Sequence, residues 1–269
     1  MTRSIRWLEE EIAQRMLQKM DIVKIQPQDI LLLPDIPEKY AALLLKRFPK
    51  THFYRITETG LSIFNWIRSF IFRRKQSYIQ TKKKVNPIES LLKEGLIPLP
   101  ANSVDLIFSD LFLHKTLDPK KFLVECRRVL REEGLMVFSY LGPDTGKEVR
   151  TLKKVKGPHS FPGSWDMHDL GDALVGEGFS DPVMDMEYLH LEYETDSKFL
   201  EDAEDLGLLE TLIRRDYSSE IHEELPKKLT LEIVYGHAWV FDKHLSRSKD
   251  KVAYFDLDQI KIKANNDSG

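Results

Sequence analysis

Apolar residues recur three or four positions apart at Ile5, Leu8, Ile12, Met16 and Met20. That spacing predicts one buried stripe on a helix over 4–20, with Ser4 placed to cap it. Positions 30–33 are then apolar without a break, as a strand covered on both faces requires. A helix over 38–48 and a strand over 51–56 follow, so the front of the chain reads as a βαβ unit. The turn between the first strand and its helix is Pro34-Asp35-Ile36-Pro37. Nucleotide-binding folds place glycines in that turn, and this one has none.

The segment 61–76, LSIFNWIRSFIFRRKQ, is apolar around most of a helical circumference and ends in a basic run at Arg73, Arg74 and Lys75. It reads either as a core-covering helix whose basic last turn complements the helix dipole, or as a helix whose residues 61–75 dock on a protein partner or a membrane surface. The segment 61–85 as a whole stands out as an apolar and basic insertion. From 96 onward the elements alternate regularly. A strand is expected over 104–109, then a helix over 118–130 with Asp118 as cap, Pro119 in its first turn and Glu133-Gly134 as its stop. A strand over 135–139, a loop over 151–168 and a short helix over 168–179 ended by Gly178 come next. An alternating strand over 181–193, acidic helical segments over 197–225 and a last strand over 229–241 follow. Residues 243–269 form a polar tail. Strands alternating with helices, with no repeat and no clear linker, predict one α/β domain over 1–242.

Composition excludes more than it selects. Forty basic residues against 43 acidic ones leave a formal charge of −3, which argues against a general nucleic-acid binder. Cys126 is the single cysteine, so no intrachain disulfide can form, as suits a reducing cytoplasm. Its place beside Arg127 and Arg128 allows a reactive thiol, and its place in an amphipathic helix allows a packed structural one. No apolar run reaches the ~20 residues that a membrane span needs, and the chain opens without a signal-peptide pattern. A cytoplasmic protein is expected.

Longer words then carry a resemblance. They are LIPLPANSVDLIFS at 96–109, RRVLREEG at 127–134, LMVFSYLGPDTGKEVR at 135–150, DMHDLGDALVGEGFSDPVMDMEYLHLEY at 166–193 and EIVYGHAW at 232–239. In these words the chain resembles the malonyl-[acyl-carrier protein] O-methyltransferases of biotin synthesis, which are class I S-adenosylmethionine (SAM) methyltransferases. The resemblance extends forward through EIAQRMLQKMDIVKIQPQDILLL. It implies a Rossmann-like α/β fold with a seven-stranded, mainly parallel sheet, helices on both faces and a C-terminal antiparallel hairpin of 183–193 with 229–241. It also implies a reaction in which SAM methylates the free carboxylate of malonyl-acyl carrier protein, so that SAM is the cofactor and acyl carrier protein the partner.

Carried over position by position, the resemblance puts the cofactor against Leu33, Pro34, Asp35, Thr57, Glu58, Lys93, Asp110 and Leu111. Several of these depart from the family pattern. Prolines stand where glycines let the backbone approach the cofactor closely. Thr57 aligns with the ribose-gripping acid, and Leu92-Lys93 with a Gly-Asp pair. The family's N-terminal Phe-Asp-x-Ala-Ala segment is absent. His114 and Arg150 are the catalytic candidates. His114 reads as a polar wall or as a rim residue, and Arg150 as a clamp for an acidic group or as a helix-face ion pair. Asp169 and Asp172 read as helix-start residues beside His168, and no metal is expected. Met167, His168, Tyr235 and Trp239 read as packing between the last hairpin and the helices. Two functions stay open: a carboxyl O-methyltransferase, or a non-catalytic methyltransferase fold that binds a partner through 61–75.

Overall fold

The computed structural model describes residues 6–34, 38–57, 60–64, 87–152, 161–209 and 225–241. Helix α1 (Arg6–Lys19) carries the N-terminal stripe, with Leu8, Ile12 and Met16 buried on it and Met20 buried in the 3₁₀ turn that follows, while Ser4 and Ile5 lie outside the described residues. Strand β1 (Asp29–Leu33) leads to α2 (Glu38–Arg47) and β2 (His52–Thr57). Then come β3 (Gly60–Phe64), α3 (Pro87–Glu94), β4 (Val104–Ser109) and α4 (Pro119–Val129). The rest is β5 (Leu130–Leu141), α5 (Met167–Gly176), β6 (Ser180–Glu192), α6 (Asp196–Asp205) and β7 (Lys228–Trp239).

The seven strands form one sheet in the order β3-β2-β1-β4-β5-β7-β6. The pairs β1–β2, β1–β4 and β4–β5 are parallel, and β7 runs antiparallel to both β5 and β6. Strand β1 shows why a central strand reads as a continuous apolar run. Ile30 and Leu32 join the layer under α1, α2 and α6, while Leu31 and Leu33 join the layer under α3, α4 and α5. Successive side chains point to opposite faces, and here both faces are covered. Fully burying one such leucine is worth ~1.5–3 kcal/mol.

The expected caps recur in the structure. The Asp118 side chain accepts from Lys121 N at 3.1 Å with Pro119 at the first helical position, and Gly178 takes φ +87° just beyond α5. The cap of α5 itself is Asp166, which accepts from His168 N at 2.8 Å. The C-terminal hairpin pairs in one register from Val183↔His237 to Glu192↔Lys228, with a register shift between that run and Ser180↔Trp239.

Two elements differ from expectation. Residues 60–64 form a strand and not the start of a helix, pairing antiparallel with β2 from Thr57↔Gly60 to Phe53↔Phe64. A short apolar run has no helical signature of its own, and two intervening residues suffice for a hairpin. The remainder of the expected 61–76 helix, and most of the 61–75 docking surface, lies outside the described residues, as does the 243–269 tail. The second difference is the end of α4, which stops at Val129. Leu130 is already extended (φ −70°, ψ 139°), and β5 begins there. Between Val104↔Leu130 and Leu106↔Leu135 the register shifts. Glu133 (φ +61°) and Gly134 turn the chain inside that bulge, tied by Glu133 N→Val240 O at 2.7 Å.

Candidate functional site

The carboxyl ends of β1 and β4 meet where the strand order reverses direction, the usual ligand crevice of an open α/β sheet. There Asp110 N donates to Leu33 O at 2.7 Å, which joins the two strand ends. The Asp110 side chain is 5% exposed and accepts from Ser139 Oγ at 2.7 Å. The same Ser139 Oγ accepts from Leu111 N at 2.9 Å, and Leu111 stands at φ +46°. One hydroxyl therefore fixes both residues of the β4 turn. Burial raises the Asp110 carboxyl to about 7, against the hydrogen bond from Ser139 and the nearby Lys115 ammonium, which lower it.

His114 is not on the rim. It is 1% exposed, lies edge-on to Phe161 with centroids 4.7 Å apart, and accepts from Leu141 N through Nδ1 at 3.3 Å. Burial holds the ring neutral, well below the ordinary histidine range. With Nδ1 accepting, the ring proton belongs on Nε2. His114 and Lys115 end a single 3₁₀ turn (Leu113–Lys115) and line a cavity of about 240 Å³. Its walls are Leu8 and Glu9 of α1, Leu111, Leu141, Phe161, and the end of α6 at Asp205–Gly207.

Sequence reasoning reached the end of β4 but missed Glu9, Lys115 and Ser139. The first two become site residues only when α1 folds over the strand ends. Ser139 is a polar residue inside an apolar strand, LMVFS, and that break was the available signal.

The other expected positions are dispersed. Leu33 is buried in the core layer beneath α3 and α4. Pro34 closes β1, Thr57 closes β2, and Asp35 and Glu58 lie outside the described residues. Lys93 is exposed on α3 and pairs with Glu89 at 2.6 Å. Arg150 donates from Nη2 to Pro143 O and to Thr145 O, the latter at 3.2 Å, so it braces its own turn. Cys126 is fully buried, and burial pushes its thiol up, away from reactivity. Tyr235 is buried and donates to Glu187 at 2.7 Å, Met167 and Trp239 are partly buried, and His168 is exposed.

Two of the words that carry the resemblance fold onto each other. Glu232 of β7 accepts from Asp144 N at 2.7 Å through its carboxylate and from Gly142 N at 2.8 Å through its carbonyl. A Cβ on Gly142 would lie 2.7 Å from both Glu232 carboxylate oxygens, so a larger residue there would have to displace that carboxylate. Glu148 accepts from Thr230 N at 3.0 Å and from its hydroxyl. The GPDT turn is thereby fixed at the end of β5, beside the cavity.

A SAM molecule in the β1–β4 crevice has a partial match in these residues. Ser109 is level with Leu33 in register, and its buried hydroxyl has no hydrogen-bond partner among the described residues. An orphaned donor beside the Asp110–Leu111 turn fits a polar ligand. The acidic grip does not recur among the described residues, because Lys93 stands where an acid would and is held by Glu89.

Comparison with known proteins agrees with the fold. The family described as "Methyltransferase domain" matches residues 73–138. The chain is 34% identical over 253 residues to a malonyl-[acyl-carrier protein] O-methyltransferase of Gallionella capsiferriformans, covering 86% of this chain and 83% of that one. It is 31% identical over 250 residues to a protein of the same name from Methylovorus, with 86% and 82% covered. Among solved structures, the YcgJ protein of Bacillus subtilis superposes with a TM-score of 0.52 at 12% identity, covering 87% of this chain and 100% of that one. A putative methyltransferase of Bacillus halodurans gives 0.52 at 14% identity, with 86% and 99% covered.

Proposed function

We propose, from the premise that the chain belongs to the malonyl-[acyl-carrier protein] O-methyltransferase family, that it is a SAM-dependent carboxyl O-methyltransferase acting on a malonyl group carried by an acyl carrier protein. The observation that carries this reading is the cavity at the carboxyl ends of β4 and β5, beside the β1–β4 crevice. SAM, when bound, supplies an electrophilic methyl group, and Ser109, Asp110 and the Leu111 backbone are the residues that would hold it. The acceptor carboxylate is already ionised at neutral pH, so no general base is needed. The chain's task is then to orient the acceptor and to keep water away. Leu8, Leu111, Leu141 and Phe161 supply apolar walls, and neutral His114 offers an Nε2–H donor. Transfer removes the acceptor's charge, so the product ester no longer presents a carboxylate to the polar groups of the cavity. The reading places the protein in the cytoplasm, as one unit over 1–242. Among the described residues no helix is long and apolar enough to cross a membrane.

A second reading rests on Pro34 and Lys93, which stand where the family places a glycine turn and an acid. In that reading the fold no longer takes SAM and serves a protein partner, with 61–75 as the docking segment. Incubation of the purified chain with methyl-labelled SAM and malonyl-acyl carrier protein separates the two. Label in a base-labile methyl ester on the carrier is the expected result. Label-free carrier after prolonged incubation, with a working relative as positive control, would overturn the methyltransferase reading.

A further inference from the structure

We propose that Lys115 is the counter-ion for the acceptor's free carboxylate, and so the residue that selects a carboxylated acyl group over a plain one. This rests on the carboxylate-acceptor reading above and assigns its recognition to one side chain. Lys115 lines the 240 Å³ cavity. Its ammonium makes no hydrogen bond or ion pair with the described residues, although every other element of its turn is fixed. Lys115 N donates to Phe112 O at 2.9 Å, Thr116 N and Oγ1 both donate to Leu113 O, and Gly163 N donates to His114 O at 3.0 Å. A Cβ on Gly163 would overlap the Leu113 carbonyl, so the 161–164 segment clamps this turn from outside. The stem of Lys115 therefore leaves a rigid backbone.

No charged group among the described residues pairs with the ammonium, and burial on balance lowers its hold on the proton. Glu9 from α1 and Asp110 from the β4 turn act on it through space, opposing the burial that favours its neutral form. A partly buried cation with no bonded partner, facing a cavity with Leu8, Leu111, Leu141 and Phe161 on its walls, is incomplete until an anion enters. The same cavity limits what that anion can be. Glu9 and Asp205 also line it, so every negative group that enters meets repulsion and Lys115 can offset only one. One carboxylate at the end of a neutral arm satisfies both conditions. A phosphate or a dicarboxylate satisfies only the first.

The test is calorimetric titration of the full chain with malonyl-pantetheine and with acetyl-pantetheine, two neutral arms that differ by one carboxylate. The intact protein is expected to prefer the malonyl thioester by roughly 10- to 100-fold, the value of one hydrogen bond to a charged group. In Lys115→Met, which keeps the length of the stem, this preference falls to about unity. Lys115→Arg restores most of it. Melting curves of all three proteins establish that they are folded, and Lys115→Gln serves as a second charge-free variant. A malonyl preference that survives in both Lys115→Met and Lys115→Gln overturns the assignment of Lys115 and leaves the acceptor reading standing. An intact protein that binds neither thioester removes the acceptor reading, and Lys115's role with it.

Discussion

At the scale of single residues, Ser139 is the side chain on which the site's geometry depends most directly. It holds the Asp110 carboxyl and the Leu111 amide at once. Ser139→Ala should cost about 1–3 kcal/mol in denaturant unfolding, because it leaves a buried N–H unpaired. Asp110 gives a pH signature of known sign. Its carboxyl is raised to about 7 in the folded chain, from 3.8, so the folded state binds the proton more tightly than the unfolded state. Its contribution is harmless below about pH 4 and increasingly unfavourable as pH rises to about 7. Asp110→Asn should therefore gain stability relative to the unaltered chain across that window, by up to about 4 kcal/mol. Paired thermal melts at pH 4 and pH 7.5 measure the difference. A gap that does not widen with pH would mean that Asp110 is solvated. His114 shows what residue-level reading could not supply. Its neutrality follows from burial and its tautomer from Leu141 N, both of which arise only through tertiary structure.

At the scale of elements, legibility followed local determination. The N-terminal helix was readable because its stripe obeys one period, and α4 because Asp118 and Pro119 mark its start. Strand β1 was readable because only a doubly covered strand is apolar at four successive positions. Residues 61–64 were misread because LSIF suits either geometry, and its pairing with β2 decides between them. The end of α4 was misplaced because Glu133-Gly134 looks like a helix stop, while the bulge that uses it depends on Val240 of a distant strand. The GPDT and EIVYGHAW words were visible as words, but their mutual hydrogen bonding was not. It yields an element-scale prediction. Gly142→Ala should destabilise the chain by about 1–3 kcal/mol, since its methyl group meets the Glu232 carboxylate. Glu232→Ala should be destabilising alone, by the loss of its bond to Asp144 N. In the double variant part of the cost should disappear, because the clash is gone. A double-mutant cycle in urea reads this coupling, and strict additivity would show that the two residues do not oppose each other.

At the scale of the whole molecule, the strand order and the paired apolar layers specify a class I methyltransferase architecture, and sequence identity to the named relatives specifies the family. What the fold positions is uneven. Under the proposed function the acceptor side has a cavity, a lysine with no bonded partner among the described residues and a neutral histidine. On the proposed cofactor side Ser109, Asp110 and Leu111 line the crevice, while Pro34 and the exposed Lys93 stand where the resemblance implies a glycine turn and an acid. The central claim is that this crevice still holds SAM. The most direct measurement is calorimetric titration of the purified chain with S-adenosylhomocysteine, the product form, which binds without turnover. Saturable one-to-one binding in the micromolar range, weakened in Asp110→Asn, is the expected result. No heat and no thermal shift at millimolar ligand would contradict it.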